Sequence, residues 1–156
     1  TLCGRQRFGC IILGAPGSGK TTALRDMIRL FSERGYRVGV ADERGEISGD
    51  GEFDLGPCSD VITGLSKAES AMLLLRGMNP QIIAMDEITQ SADADAIREL
   101  CCCGVELLAT VHARNADELR QRRVFAELLD TGAFKYALSI RGAGSARSYE
   151  LEGLYV

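Results

Sequence analysis

The segment from Gly14 to Thr21 reads G-A-P-G-S-G-K-T, and it constrains the fold more than any other part of the chain. The apolar run FGCIIL precedes it, and a helical pattern of apolar residues follows it. Glycines at its first, fourth and sixth positions let the backbone curl without a Cβ in the way. Curled amides at the N-terminus of a helix attract anions. The segment therefore predicts a strand, a phosphate-binding loop and a helix, in that order.

The polar residues of this loop suit a nucleoside triphosphate with Mg²⁺. Lys20 offers a compact positive charge to the β and γ phosphates, and Thr21 offers a hydroxyl oxygen to the metal. We expect ATP and Mg²⁺ as ligands, with GTP left open because no base-contacting residue can be identified. The predicted nucleotide-binding residues are Gly14, Ala15, Pro16, Gly17, Ser18, Gly19, Lys20, Thr21 and Thr22.

Strand-like and helix-like segments alternate along the chain, which predicts an α/β fold. The expected architecture is a mostly parallel central sheet with helices on both faces and a C-terminal β-hairpin. The predicted strands are Phe8–Leu13, Tyr36–Ala41, Gln81–Met85, Val105–Val111, Tyr136–Arg141 and Tyr149–Val156. The predicted helices are Gly17–Arg34, Ser66–Met78, Ala116–Leu129 in two parts, and a helix capped by Ser91 that ends at Cys103. The polar, glycine-rich segment Asp42–Ser66 is expected to be a functional loop.

Three polar segments follow predicted strands directly and should share one edge of a parallel sheet, where ligands bind. We expect Asp86 to hold Mg²⁺ with Thr21, and Glu87 to polarise the attacking water. Glu43, in the acidic segment Asp42–Glu46, could assist the water or the metal. His112 could donate to the γ-phosphate or to the water. The alternative interpretation is that these acids are solvated residues at strand ends and that His112 has a structural role.

Composition bounds the class of protein. The chain has 156 residues, the size of one domain, and its net charge of −4 with few aromatic residues makes a nucleic-acid partner unlikely. No apolar run approaches the roughly 18 residues of a membrane-spanning helix. Because the chain opens at Thr1 rather than Met, we expect residues 1–156 to be one domain of a longer protein. The six cysteines are expected to be buried residues in a reducing cytosol, with a redox switch at Cys101–Cys103 as the alternative.

Several segments together carry a resemblance to a known family. The runs GAPGSGKTTALRDMIRL, VGVADERGEISG, AMLLLRGMNPQIIAMDEI and ELLATVHARN resemble the ATPase domain of the stage III sporulation protein AA family, which is related to type II and type IV secretion ATPases. The resemblance implies a RecA-like P-loop NTPase and a homo-oligomeric, hexameric ring with ATP between subunits. It also implies a cytoplasmic position on a membrane channel complex, in the mother cell of a sporulating bacterium.

The resemblance also assigns positions. An acidic box falls on Asp42–Glu46, a histidine box on Thr110–His112, and a strand-end acid on Glu87. The family's N-terminal domain, which helps close the active site, is expected to be absent, with Arg5 and Arg7 near the junction. We therefore expect this part alone to bind nucleotide and to hydrolyse it poorly.

The preferred function is a Mg²⁺-dependent ATPase that drives a sporulation or secretion-type machine. A P-loop kinase acting on a small molecule is one alternative, although the segment Ile47–Leu65 lacks the basic residues of a kinase lid. A nucleotide-binding switch without turnover is the second alternative, and a DNA translocase is a weaker third.

Overall fold

A computed structural model describes residues 8–154, which contain five α-helices and seven strands. The helices are α1 (Lys20–Glu33), α2 (Lys67–Met78), α3 (Ser91–Cys102), α4 (Ala116–Gln121) and α5 (Arg123–Asp130). The strands are β1 (Cys10–Gly14), β2 (Val38–Asp42), β3 (Ser59–Thr63), β4 (Ile82–Met85), β5 (Glu106–His112), β6 (Tyr136–Arg141) and β7 (Ser148–Gly153).

All seven strands form one sheet in the order β3-β2-β4-β5-β1-β6-β7. Every neighbouring pair is parallel except β6 and β7, which form the antiparallel C-terminal hairpin. Because β1 lies between β5 and β6, the loop after it is near the centre of the sheet's C-terminal edge. The predicted mostly parallel sheet with a terminal hairpin is confirmed.

Apolar residues fill both faces of the sheet, since side chains alternate along each strand. On one face, Ile12, Val40 and Leu108 pack with Leu24 and Ile28 of α1. On the other face, neighbouring strand residues pack against the four remaining helices. That larger cluster includes Ile11, Leu13, Ile83, Met85, Leu74, Ile97, Leu119 and Leu128. Helices therefore cover both faces, as predicted.

Most helices and strands begin and end within three residues of the predicted bounds. Three differences from the sequence-based expectation are larger or change how an element begins or ends. Strand β3 lies inside the segment that was expected to be an irregular loop, and Ile62 is its contact with the core. Such an edge strand needs few apolar residues, so its pattern is weak. Helix α3 is capped by Gln90 rather than by Ser91, with Asp93 completing a capping box. Strand β7 ends at Gly153, whereas the last two residues of the predicted strand lie outside the described part.

The cysteines have mixed environments, so the expectation that all are buried is wrong. Cys10 and Cys101 are buried, Cys58 is half-buried, and Cys102 and Cys103 are exposed. Burial raises the pKa of the Cys10 thiol to about 11, which keeps it protonated and unreactive. Cys3 lies outside the described residues.

Two further expectations concern the chain as a whole. Within residues 8–154, no helix is both long and apolar enough to cross a bilayer. Arg5 and Arg7, expected near a domain junction, lie outside the described residues.

Candidate functional site

The loop between β1 and α1 is a tight turn whose shape depends on glycine. Ser18 N–H donates to Ala15 O at 3.1 Å, and Gly19 has φ 99°, in the left-handed region. A Cβ on Gly14 would lie 2.3 Å from Ser18 Oγ and 3.0 Å from Ile140 O, so a side chain there would separate the loop from β6. The loop ends at the first turn of α1, whose free amide groups favour an anion.

Lys20 is folded inward beneath this loop. Its Nζ donates to Gly14 O and to Ala15 O, both at 2.9 Å, and lies 2.9 Å from His112 Nδ1. The residue is only 6% exposed. In the described part of the chain, the ammonium group therefore contacts two backbone carbonyls and the His112 ring rather than a carboxylate.

The electrostatics of Lys20 follow from this position. Burial lowers the pKa of Lys20 below its ordinary value of 10.5, while the negative charges of Glu87 and Asp86 act in the opposite direction. A partly desolvated cation is stabilised by any anion that reaches it. The loop therefore presents a positive charge that a phosphate would stabilise.

Asp86 follows β4 and faces the N-terminus of α1. Thr21 Oγ1 donates to Asp86 Oδ2 at 3.0 Å, and Thr110 Oγ1 donates to Asp86 Oδ1. Both carboxylate oxygens are thus oriented by hydroxyl groups from neighbouring elements. Thr21 and Asp86, the two residues predicted to hold a metal, therefore lie within hydrogen-bond distance of each other.

Glu87 has an unusual backbone conformation, with φ 45° at a residue other than glycine. Its N–H donates to Thr110 Oγ1 at 2.8 Å, and its carboxylate lies 3.8 Å from Arg44 Nη1. The Arg44 side chain is largely exposed, so this ion pair restrains Glu87 weakly. The carboxylate of Glu87 remains able to reach a ligand over the loop.

The acidic segment after β2 divides into a structural acid and an ion-paired acid. Asp42 is buried and accepts from Ile47 N–H at 3.1 Å, from Ser48 N–H at 2.9 Å and from Ser48 Oγ at 2.8 Å. Glu43 pairs instead with Lys67 Nζ at 3.0 Å. Asp42 therefore holds the following turn, and Glu43 is directed toward α2.

His112 and Arg147 lie on two other sides of the loop. His112 O accepts from Arg122 Nη1 at 2.8 Å, which fixes the backbone at the end of β5. Arg147, on the connection between β6 and β7, places its guanidinium against Gly19. An ideal Cβ on Gly19 would lie 3.1 Å from Arg147 Cζ.

A cleft over the loop brings most of the predicted residues together. It is lined by Pro16, Gly17, Gly19, Lys20, Thr21, Thr22, Glu46, Glu87, His112 and Arg147. Gly14, Ala15 and Ser18 line the other side of the loop. Asp86 and Glu43 line an adjoining pocket that also contains Glu87. Glu43 therefore lies beside the cleft rather than in it.

Sequence reasoning did not assign Lys67 or Arg147 to this site. Lys67 begins α2, and Arg147 follows a short 3-10 turn, Gly144–Ala146, far along the chain from the loop. Each reaches the site only through tertiary packing. Neither lies in a sequence motif.

The donor set fits Mg²⁺ bound together with a nucleotide. The side chains of Thr21 and Asp86 carry oxygen atoms, the ligand type that this ion prefers, and the ion commonly takes other ligands from phosphate and water. Within residues 8–154, no group of three or more His, Cys, Asp or Glu side chains is placed to hold a metal ion alone.

Comparison with protein families and curated proteins gives one consistent result. The family model described as "Sporulation stage III, protein AA" matches residues 1–155. Stage III sporulation protein AA of Bacillus subtilis (strain 168) is 32% identical over 156 residues, which covers 92% of this chain and 51% of that protein. The chain thus spans about half the length of this relative.

Solved structures with the same fold include secretion and pilus ATPases. The VirB11 ATPase from the Brucella suis type IV secretion system, in complex with sulphate, has a TM-score of 0.70 at 15% identity, over 94% of this chain and 48% of that one. The pilus retraction motor PilT with bound ADP has a TM-score of 0.69 at 19% identity, over 95% and 48% of the two chains. The expected RecA-like P-loop NTPase fold is therefore confirmed.

Proposed function

Because the chain belongs to the sporulation stage III protein AA family, we propose that it is a Mg²⁺-dependent ATPase with its catalytic site in the cleft over the Gly14–Thr21 loop. The observation that carries this proposal is the buried Lys20. Its charged group lies beneath a loop of amides and contacts neutral acceptors, so a phosphate is the group that would stabilise it most. A structural lysine would be expected to pair with a carboxylate instead.

The cleft residues account for each part of ATP hydrolysis. Lys20 and the amides of the loop would hold the β and γ phosphates. Thr21 and Asp86 would hold Mg²⁺, which would supply positive charge to neutralise the phosphates. Glu87 accepts a hydrogen bond from water and takes its proton as the water oxygen attacks the γ-phosphorus. The bond from the γ-phosphorus to the bridging oxygen then breaks, and ADP leaves with inorganic phosphate.

Two further side chains support the assignment of the cleft. Arg147 adds a second positive charge beside Gly19, where it can contact the phosphates of a bound nucleotide. His112 lies next to the Lys20 ammonium group, where it can donate to the γ-phosphate or to the water. Their positions suit charge that increases on the phosphates during the reaction.

The ligands bound to two structural neighbours favour the same chemistry. PilT was solved with ADP and VirB11 with sulphate, a phosphate-like anion. By analogy, the protein would act as a homo-oligomeric, hexameric motor on the cytoplasmic side of a membrane channel complex, in the mother cell of a sporulating bacterium.

Replacement of Lys20 tests the proposed function. Lys20→Ala removes the buried charge, so the affinity for ATP in the presence of Mg²⁺ should fall by about tenfold or more, since hydrogen bonds to charged groups contribute roughly 1.5–3 kcal/mol. Titration of a fluorescent ATP analogue into the full-length protein measures this change. Lys135→Ala is the matched control, because Lys135 precedes β6 at the opposite edge of the sheet.

Wild-type affinity in the Lys20→Ala variant would contradict the assignment of this loop to phosphate. Phosphoryl transfer to nucleosides or nucleotides without excess hydrolysis would indicate a kinase instead. Tight binding without any turnover would indicate a nucleotide-dependent switch.

A further inference from the structure

Thr110 contacts three consecutive residues of the neighbouring strand's end. Its hydroxyl donates to Asp86 Oδ1 and accepts from Glu87 N–H at 2.8 Å. Its carbonyl accepts from Ile88 N–H at 3.0 Å. A single residue on β5 therefore fixes the side chain of one acid, the amide of the next acid and the backbone that follows.

The pairing of β4 with β5 explains why this contact is possible. Met85 lies opposite Ala109 in the parallel register, so the next position on each strand brings Asp86 beside Thr110. Thr110 is fully buried, and most buried hydroxyl groups have at least one hydrogen-bond partner. Asp86 and the Glu87 amide supply these partners. Valine, which has the same shape, would supply neither contact.

The Asp86 carboxylate is oriented from two sides. Oδ1 accepts from Thr110 on β5, whereas Oδ2 accepts from Thr21 on α1 at 3.0 Å. Because Oδ1 is engaged by the buried hydroxyl, Oδ2 is the oxygen that faces the end of the phosphate-binding loop. The Thr110 hydroxyl thus determines which oxygen of the Asp86 carboxylate is available to contact a ligand at the loop.

The Glu87 backbone also requires support. A φ of 45° is unfavourable for a residue with a side chain, and such conformations persist where neighbouring groups fix them. The hydrogen bond from Glu87 N–H to Thr110 and the bond from Ile88 N–H hold the turn on both sides. The direction of the Glu87 carboxylate therefore depends on Thr110.

We infer that Thr110 is a positioning residue whose hydroxyl couples the metal-holding acid, Asp86, to the water-activating acid, Glu87. This inference rests on the proposed ATPase function and adds a requirement to it. When Thr110 is in place, both acids are held in register with the phosphate-binding loop. When its hydroxyl is absent, the loop can still bind a nucleotide, but the two acids lose their common anchor.

A pair of substitutions separates the hydroxyl from the packing of the side chain. Thr110→Val keeps the shape and removes the hydrogen bonds, so the turnover number for Mg²⁺-ATP should fall by about tenfold or more. The affinity for ATP in EDTA should stay within about twofold of wild type, because Lys20 and the loop amides are unchanged. Thr110→Ser keeps the hydroxyl and should restore turnover to within about threefold of wild type.

A matched control removes a buried hydroxyl elsewhere. Ser70, on α2, has a buried Oγ without a hydrogen-bond partner among the described residues. Ser70→Ala should therefore leave turnover and affinity unchanged. Circular dichroism and thermal unfolding of all variants of the full-length protein show whether each one folds.

Crystal structures of the nucleotide-free wild type and Thr110→Val variant test the geometry without any activity. We expect the Asp86 carboxylate to rotate or the Glu87 backbone to leave its left-handed conformation. The inference would be overturned if Asp86 and Glu87 keep their wild-type positions in Thr110→Val, or if that variant has wild-type turnover. It would also be overturned if Thr110→Ser and Thr110→Val lose turnover equally. A wild-type protein that does not hydrolyse ATP would refute the proposed function, whereas the crystal comparison would still decide the role of Thr110.

Discussion

Glu87 and Glu43 are two carboxylates with very different surroundings, although both follow strands at the same edge of the sheet. Glu43 lies 3.0 Å from Lys67 Nζ, and the Lys67 side chain is only 11% exposed and lies 3.9 Å from Asp93. This ion pair with a mostly buried lysine holds the Glu43 carboxylate toward α2. Glu87 lies in the cleft over the loop, and its ion partner is the largely exposed Arg44. These contacts favour Glu87 as the group that accepts a proton from water.

Glutamine substitutions rank the two acids. Glu87→Gln keeps the shape and removes the proton acceptor, so single-turnover hydrolysis should slow by roughly 100-fold or more, the usual contribution of a general base. ATP affinity should be retained, because the phosphate contacts are unchanged. Glu43→Gln is the matched control and should slow hydrolysis by only about threefold. A larger loss in Glu43→Gln than in Glu87→Gln would move the role of base to Glu43.

The individual residues of the phosphate-binding loop could be predicted because their motif is local. Gly14, Lys20 and Thr21 are defined by their spacing within eight positions, and the structure places them around one turn. Arg147 and Lys67 could not be predicted in the same way, since each reaches the site from another element. Contacts of this kind depend on strand order, which the pattern of apolar residues does not specify.

At the scale of elements, the segment after β2 shows that the pattern of apolar residues predicts edge strands poorly. Ser59–Thr63 has only two apolar residues, and its side chains are half-buried or exposed because it is an edge strand. The pattern therefore predicted a loop where the structure has β3. The turn before this strand is held by Asp42, which bonds the amides of Ile47 and Ser48. A buried carboxylate thus organises a segment that lacks apolar periodicity.

Replacement of Asp42 tests this organising role. Asp42→Asn turns one acceptor into a donor that faces backbone N–H groups, so one buried amide loses its partner. The free energy of unfolding should fall by about 1–3 kcal/mol, the cost of an unsatisfied buried group. Urea unfolding measures the change, and hydrogen exchange at Ile47 and Ser48 should become faster.

The control for this substitution lies in the same segment. Asp54 is exposed and accepts one hydrogen bond, from Gly56 N–H at 2.8 Å, so Asp54→Asn should change the unfolding free energy by about 0.5 kcal/mol or less. Equal stability of the two variants would show that Asp42 does not hold the turn.

At the scale of the whole molecule, strand alternation allowed the class of fold to be predicted, but not the position of every strand. Parallel strands need crossovers, so regular alternation with helices predicts a parallel sheet. The strand order β3-β2-β4-β5-β1-β6-β7 could not be predicted from the sequence. It depends on long-range pairing, which places β5 between β1 and β4. This order is what encloses Lys20 between β1, α1 and the end of β5. The burial of that lysine is therefore a property of the assembled sheet.

The enclosure of Lys20 links nucleotide binding to the stability of the entire chain. A lysine whose pKa is lowered on folding destabilises the nucleotide-free protein where it is charged. This penalty is fully present below the folded-state pKa and disappears as the pH rises to 10.5, the ordinary value. A bound phosphate favours the charged form and raises the pKa again. Binding should therefore take up a proton in this range.

The expected result is a rise in melting temperature on binding ATP that becomes smaller as the pH increases toward 10.5, the ordinary pKa of lysine. The rise should become smaller because deprotonation removes the cost of burying a charged Lys20 in the nucleotide-free protein. In the bound state, the same deprotonation removes the positive charge that contacts the phosphates. Differential scanning calorimetry with and without ATP measures it. Lys20→Arg is the control, since arginine stays charged throughout and should make the rise independent of pH. A pH-dependent decrease of the same size in both proteins would show that Lys20 is not the group that titrates.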